Sequence, residues 1–204
     1  MPKGAFNYGA GGVNLWRSIC GGPNGGSALL AQLGAPTAVK DEFNAWYEKN
    51  LFPSNGAYDD YMSGTWTPGG TATGGWGTAS NQLIPPRNDA PQAEPNSLLC
   101  HASHANWEKA AGGYNGPWFQ SAPAANGGIA HVGADRCSKL VYDCVKKLCE
   151  LINAWQAGTL PAGTLDPSAT AAGCMTSTCH SGATPATAAH PVNGKTKCTD
   201  SCHK

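Results

Sequence analysis

Charge is what this 204-residue sequence has least of: Asp, Glu, Lys and Arg make up 13% of it, against roughly 25% in a typical soluble domain. The 13 basic and 13 acidic residues cancel, so no positive field is available to hold a phosphate backbone and nucleic acid is not an expected partner. Long apolar runs are missing as well. No stretch approaches the ~18 consecutive apolar residues that a membrane-spanning helix needs. Behind Met1-Pro2-Lys3-Gly4 the chain runs into glycine-rich sequence instead of the apolar segment of a secretory signal. A surface with so few charges is either covered by Gly, Ser and Thr or buried against partners.

What the chain does have is glycine, proline and cysteine, with 27, 15 and nine residues respectively. The length suits one domain of ordinary size with a small appendage. The cysteines are concentrated at the end, where the sequence reads Cys174-Met-Thr-Ser-Thr-Cys179-His180 and, after a linker, Cys198-Thr-Asp-Ser-Cys202-His203. A pair of cysteines followed directly by histidine is the arrangement that attaches a c-type haem. The thiols become thioethers to the porphyrin vinyls and the adjoining imidazole is fixed beneath the iron. Four and three residues separate the cysteines here, where two are usual. Cys and His at short spacing also suit tetrahedral zinc, and a disulfide-stapled tail is a third option. Repetition of the whole Cys–gap–Cys-His unit favours haem. Cys174, Cys179, Cys198 and Cys202 are then the attachment residues, with His180 and His203 as proximal iron ligands. Haem of this kind is attached outside the cytoplasm, so a periplasmic or extracellular protein is expected, its export signal not part of this sequence.

Taken in order, the body reads as mainly helical with long irregular loops. Gly9 to Gly26 is dense in glycine and suits tight turns or close backbone approach. A helix carrying Leu29, Leu30 and Leu33 is expected to stop at Gly34. A second helix begins near Pro36, aligns Val39, Phe43, Trp46 and Tyr47 on one face, and ends at Pro53. Those aromatics read as core before they read as a haem wall. Ser54 to Pro95 loses all periodicity and reads as an inserted Gly/Pro/Trp-rich loop at 54–95. A loop of that length with tryptophans suggests contact with another subunit.

Ser97 is placed to cap a helix from Leu98 to about Ala110, presenting Cys100, His101, His104, Trp107 and Glu108. His101 and His104 are three apart and share a face, so either suits an axial iron ligand. Together with Glu108 they could instead form a separate metal site, or they are simply solvated. A second loop, Gly112 to Gly133, contains His131. Ala134 to Trp155 is the strongest periodic segment, with Cys137, Leu140, Val141, Cys144, Leu148, Leu151, Ile152 and Trp155 on one stripe and Gly158 as its stop. Cys137 and Cys144 read there as small apolar core residues. The expected organisation is a helical body over 1–160 and a di-haem tail over 161–204.

Several blocks resemble the split-Soret cytochrome c family: Gly9-Ala-Gly-Gly-Val13 leading to Trp16 and Cys20-Gly-Gly-Pro-Asn-Gly25, then Trp46-Tyr47, then Leu99-Cys100-His101-Ala102 with Trp107, then Arg136-Cys137 opening a long helix, and the two terminal motifs in that order. The resemblance covers about half the chain. It implies a mostly helical body, two stacked c-type haems with bis-histidine ligation, and a homodimer whose subunits share haem ligation. It also implies an iron–sulfur cluster held by cysteines of the body. Here the sequence departs from the family: a cysteine-rich N-terminal segment is missing, and Glu108 stands where a cysteine is expected after the tryptophan. Cys20, Cys100 and Cys137 remain at matching positions. Disulfides among Cys20, Cys100, Cys137, Cys144 and Cys149 stand as the alternative.

The function that follows is electron transfer, not catalysis, by a di-haem c-type cytochrome with two closely spaced haems, serving redox partner proteins. For the distal ligands His101, through the family's Cys-His block, and His190, between the two motifs, rank ahead of His131 and His104. His190 suits a haem of another subunit, so a homo-oligomer, whether dimer or filament, is expected. The alternatives are a haem reductase with an open iron site and a haem-free structural protein built on zinc or disulfides.

Overall fold

A computed structural model of the chain describes residues 16, 18–63, 91–113, 116 and 129–160. The fold is mainly α, as expected. Among the described residues five helices follow in order: α1 (Gly21–Gln32), α2 (Thr37–Lys49), α3 (Asn55–Met62), α4 (Cys100–Ala110) and α5 (Ile129–Gln156). Among the described residues the only extended pairing consists of two isolated antiparallel bridges, Ile19 with Leu99 and Phe52 with Ala93.

α5 is 28 residues long, about 42 Å at the usual rise, and it is the surface on which α1, α2 and α3 pack. Its inner stripe is Leu140, Cys144, Leu148 and Leu151, all buried. The spacing of four, four and three keeps these residues on one face. Against them lie Leu30 of α1 and Val39, Phe43 and Tyr47 of α2, each fully buried. Phe52 extends the aromatic layer, tilted on Tyr47 at 5.2 Å and edge-on to Trp46 at 5.3 Å between ring centroids. The aromatics of α2 are thus core residues. Cys144 is buried as expected of a small apolar residue, whereas Val141 is 44% exposed and falls off the stripe. Helix α5 also begins five residues before the expected Ala134, inside what reads from sequence as loop, because Ile129 to Gly133 carry no periodic apolar signal.

The glycine-rich opening has a packing role. α1 starts within it, with Cys20 as N-cap and Pro23 in the first turn, where a missing N–H is no loss. A Cβ at Gly26 would collide with the Phe43 ring, so glycine here is what lets α1 and α2 approach. At the other end, the Ala35 N–H donates to the Leu30 carbonyl at 2.9 Å past Gly34. At the end of α5, the Thr159 N–H donates to Ala154 at 2.8 Å past Gly158, whose φ is +68°. Both are Schellman closures on the glycines expected as stops.

α3 corrects the expectation of an unbroken loop over 54–95, the rest of which, from 64 to 90, lies outside the described residues. Its eight residues carry no helical apolar period, and the helix is held from outside. Ser54 donates its N–H to Asp143 Oδ2 at 2.8 Å and its hydroxyl to Asp143 Oδ1 at 2.5 Å. The same hydroxyl oxygen accepts the Ala57 N–H at 3.1 Å, capping the first turn. Asp60 accepts from Tyr142 at 2.7 Å and Lys146 at 3.0 Å, a second tie to α5.

Burial raises the pKa of Asp143, and the two Ser54 hydrogen bonds oppose this only in part. The folded chain therefore holds this proton at a pH where the unfolded chain has released it, so this group's contribution to stability falls as pH rises through the acid range. Asp143→Asn, which keeps an acceptor and loses the charge, should remove that slope. Melting temperatures across the acid range should show the variant gaining on the wild type as pH rises. A constant difference would contradict the assignment. Asp143→Ala, which strands the Ser54 donors, should lower stability by about 1–3 kcal/mol.

Candidate functional site

Four segments converge at the middle of the body. The bridge between Ile19 and Leu99 brings the start of α1 to the start of α4, through Cys20 N–H to Leu98 O at 2.8 Å and Cys100 N–H to Ser18 O at 2.5 Å. Cys20 is buried at that junction, with its thiol against the Tyr47 hydroxyl of α2. The Tyr47 hydroxyl donates to Ser103 Oγ of α4 at 3.1 Å. From α5, Arg136 Nη2 donates to the same Ser103 Oγ at 2.6 Å and to the Ser103 carbonyl at 3.2 Å, while Nη1 reaches Cys137 Sγ at 3.9 Å. Arg136 is only 2% exposed, and its Nε has no hydrogen-bond partner.

Burial dominates the electrostatics of this cluster. It pushes the Cys20 thiol up, and it pushes Tyr47 well above the ordinary phenol range, with the neighbouring Cys20 adding to the effect. Cys144 is pushed up for the same reason. Desolvation works against the charge on Arg136, but Cys137, Tyr47 and Cys20 around it outweigh that and hold the guanidinium protonated. Among the described residues no carboxylate hydrogen-bonds to it. A buried cation in such surroundings is costly unless a negative partner faces it.

A second feature lies on α4. His104 Nδ1 and Glu108 Oε1 are 2.7 Å apart, one helical turn from each other. The side chains are 12% and 21% exposed. The Trp107 ring, fully buried and anchored by its Nε1–H to the Pro91 carbonyl at 2.9 Å, stands edge-on to the imidazole. A Cβ at Gly133 would stand 2.9 Å from His104 Nε2, so this glycine lets α5 lie against the ring.

The expected site residues divide as follows. Cys174, Cys179, His180, His190, Cys198, Cys202 and His203 lie outside the described residues. His131 falls in the first turn of α5, not in a loop. His101 is exposed on α4 while His104 is sheltered and fixed by Glu108, so their shared face is split between solvent and protein. His101 does not join His104 and Glu108 in a metal site: among the described residues no three His, Cys, Asp or Glu side chains converge as metal ligands. Cys20, Cys100 and Cys137, the positions at which the resemblance implies an iron–sulfur cluster, lie at the junction described above, Cys20 buried and the other two half-buried. Among the described residues Cys20, Cys100, Cys137, Cys144 and Cys149 form no disulfide with one another, against the disulfide alternative for the body.

Sequence reasoning gave no role to Tyr47–Ser103–Arg136. The available signal was the position of Arg136 four residues before Leu140 and eight before Cys144, on the buried stripe of α5.

The described body is that of a mainly α protein in which one long helix carries the shorter ones, with the Cys20, Cys100 and Arg136-Cys137 blocks brought to one junction. No protein-family model and no curated protein matches the sequence. Among solved structures the chain is similar to the split-Soret cytochrome c from Desulfovibrio desulfuricans ATCC 27774, whose structure is described as holding a novel iron centre. The TM-score is 0.63 at 22% sequence identity, over 100% of this chain and 70% of that one. The fold is that of split-Soret cytochrome c, in agreement with the blocks read from the sequence.

Ser103 is the joint between α2, α4 and α5. Ser103→Ala removes the acceptor shared by Tyr47 and Arg136, leaving two buried donors short of a partner, and should lower the free energy of unfolding by about 1–3 kcal/mol. Urea denaturation checks this, and an unchanged midpoint would show that the joint contributes nothing.

Proposed function

We propose that the chain is a di-haem c-type electron carrier. The observation that carries this reading is the paired Cys–gap–Cys-His tail on a chain with the fold of split-Soret cytochrome c. The donor chemistry of the tail fits two haems: Cys174 and Cys179 with His180 for one, Cys198 and Cys202 with His203 for the other. The group supplies reversible one-electron chemistry at iron when bound. The chain's own contribution is to hold both attachment sites within 31 residues of tail, which keeps the prosthetic groups close enough for electrons to pass between them. A second histidine would complete the hold on each iron and would leave no place for a small substrate. His101 and His190 are the first choices for that position, then His131 and His104. The exposure of His101 on α4 supports its rank, and the packing of His104 between Glu108, Trp107 and Gly133 supports placing it lower.

The same reading extends to assembly and location. Low charge, Trp16 at 85% exposure and the exposed pair Val141 and Val145 support a homo-oligomer, in which a histidine of one subunit serves a haem of the next. A two-fold contact would close as a dimer, and a head-to-tail contact would propagate as a filament. Among the described residues no helix is long and apolar enough to cross a membrane. Covalent haem attachment places the protein in the periplasm or outside the cell.

Absorption spectroscopy tests the proposal. Both haems should be low-spin, and carbon monoxide should leave the reduced spectrum unchanged. His101→Ala should convert one haem to high-spin. A carbon monoxide shift in the wild type would point to an open-site reductase, and the absence of any haem band to a zinc or disulfide protein. A monodisperse monomer in size-exclusion chromatography, with both haems low-spin, would contradict shared ligation.

A further inference from the structure

The first turn of α4 is fastened from three directions. The Leu99 N–H donates to Ser97 Oγ at 3.1 Å. The Cys100 N–H donates to the Ser18 carbonyl, across the bridge to the start of α1. Arg136 of α5 donates to both the carbonyl and the hydroxyl oxygen of Ser103, and the Tyr47 hydroxyl of α2 shares that second oxygen. Ser103 is 1% exposed, whereas His101, two residues earlier, is exposed. Residues two apart on a helix stand about 200° apart around its axis. The guanidinium is therefore tied to the inner side of the turn that presents His101 on its outer side. Arg136 is itself buried, with an Nε that meets no acceptor, and a guanidinium keeps its charge at any working pH. Burial keeps the neighbouring Tyr47 phenol neutral.

A charge in the protein interior is screened far less than one at the surface, by water and by salt alike. Ferric haem carries one more positive charge than ferrous haem, so a fixed cation nearby disfavours the oxidised state and raises the potential. Burial and local charge are among the means by which a protein sets the potential of a haem. We propose, resting on the di-haem reading with His101 as an axial ligand, that Arg136 is a positioning residue for His101 and that its buried charge raises the reduction potential of the haem His101 ligates. One side chain then has two roles. Its hydrogen bonds to Ser103 hold the turn that carries the ligand, and its charge acts across that turn. Felt more by one haem than by the other, the charge makes the two unequal and gives the passage of electrons between them a direction.

Spectroelectrochemical titration of the full-length protein with its haems reads both midpoints. His101→Ala identifies the haem concerned, as the one that turns high-spin and whose midpoint moves. Arg136→Gln keeps hydrogen-bond donors and loses the charge. In it that midpoint should fall by about tenfold in the reduction equilibrium, ~59 mV for one electron, with the haem still low-spin and the other midpoint displaced less. Arg136→Lys, which keeps the charge, should stay near the wild type. Ser103→Asp sets a carboxylate against the guanidinium and should lower the same midpoint with Arg136 in place, so the test holds even where Arg136→Gln fails to fold. Both displacements should persist at high salt, as a buried charge requires; their loss there would count against the proposal. A high-spin haem in His101→Ala with an unmoved midpoint in Arg136→Gln or Ser103→Asp would overturn the proposal and leave the ligation standing, as would equal displacement of both midpoints. Two low-spin haems in His101→Ala would overturn the ligation, and this proposal with it.

Discussion

The buried stripe of α5 is the constraint on which the rest of the body depends. Leu140, Cys144, Leu148 and Leu151 have no other place to go than the interior, and α1, α2 and α3 are ordered by packing on them. Each contact helix is too short to be stable by itself in water. Two features then decide how closely they pack. Gly26 removes the side chain that would separate α1 from α2, and Asp143 reaches out of α5 to cap α3 through Ser54.

The same helix carries a charge into the interior. Arg136 lies on the stripe four residues before Leu140, so forming α5 in this register carries a guanidinium into the middle of the protein. Ser103 answers part of its hydrogen-bonding capacity and binds α4 to α5 in doing so. Cys20, Tyr47 and Cys137 surround the rest of the guanidinium, so the junction of α1, α2, α4 and α5 is built around a buried cation.

Much of the body was legible in the sequence. The α2 stripe of Val39, Phe43 and Tyr47, the stops at Gly34 and Gly158, and the long α5 all follow from period and from positive-φ glycine. α3 was not legible, because its cap is completed by a carboxylate 89 residues away and its own residues show no period. The beginning of α1 was hidden by glycines, which discourage helix locally and are retained for close packing. The difference between His101 and His104 was also invisible, since identical residues on one face are separated only by what packs on them. The signal in the tail was the strongest in the chain, and it rests on residue type and spacing alone.

The functional account therefore depends on the tail more than on the body. Mass spectrometry of the full-length chain under denaturing conditions tests it most directly, because thioether-bound haem survives unfolding and any non-covalent group does not. The account predicts a mass equal to the polypeptide plus two haem groups, with both adducts on the peptides that carry Cys174–Cys179 and Cys198–Cys202. The mass of the bare polypeptide, or of the polypeptide plus a single haem, would contradict it.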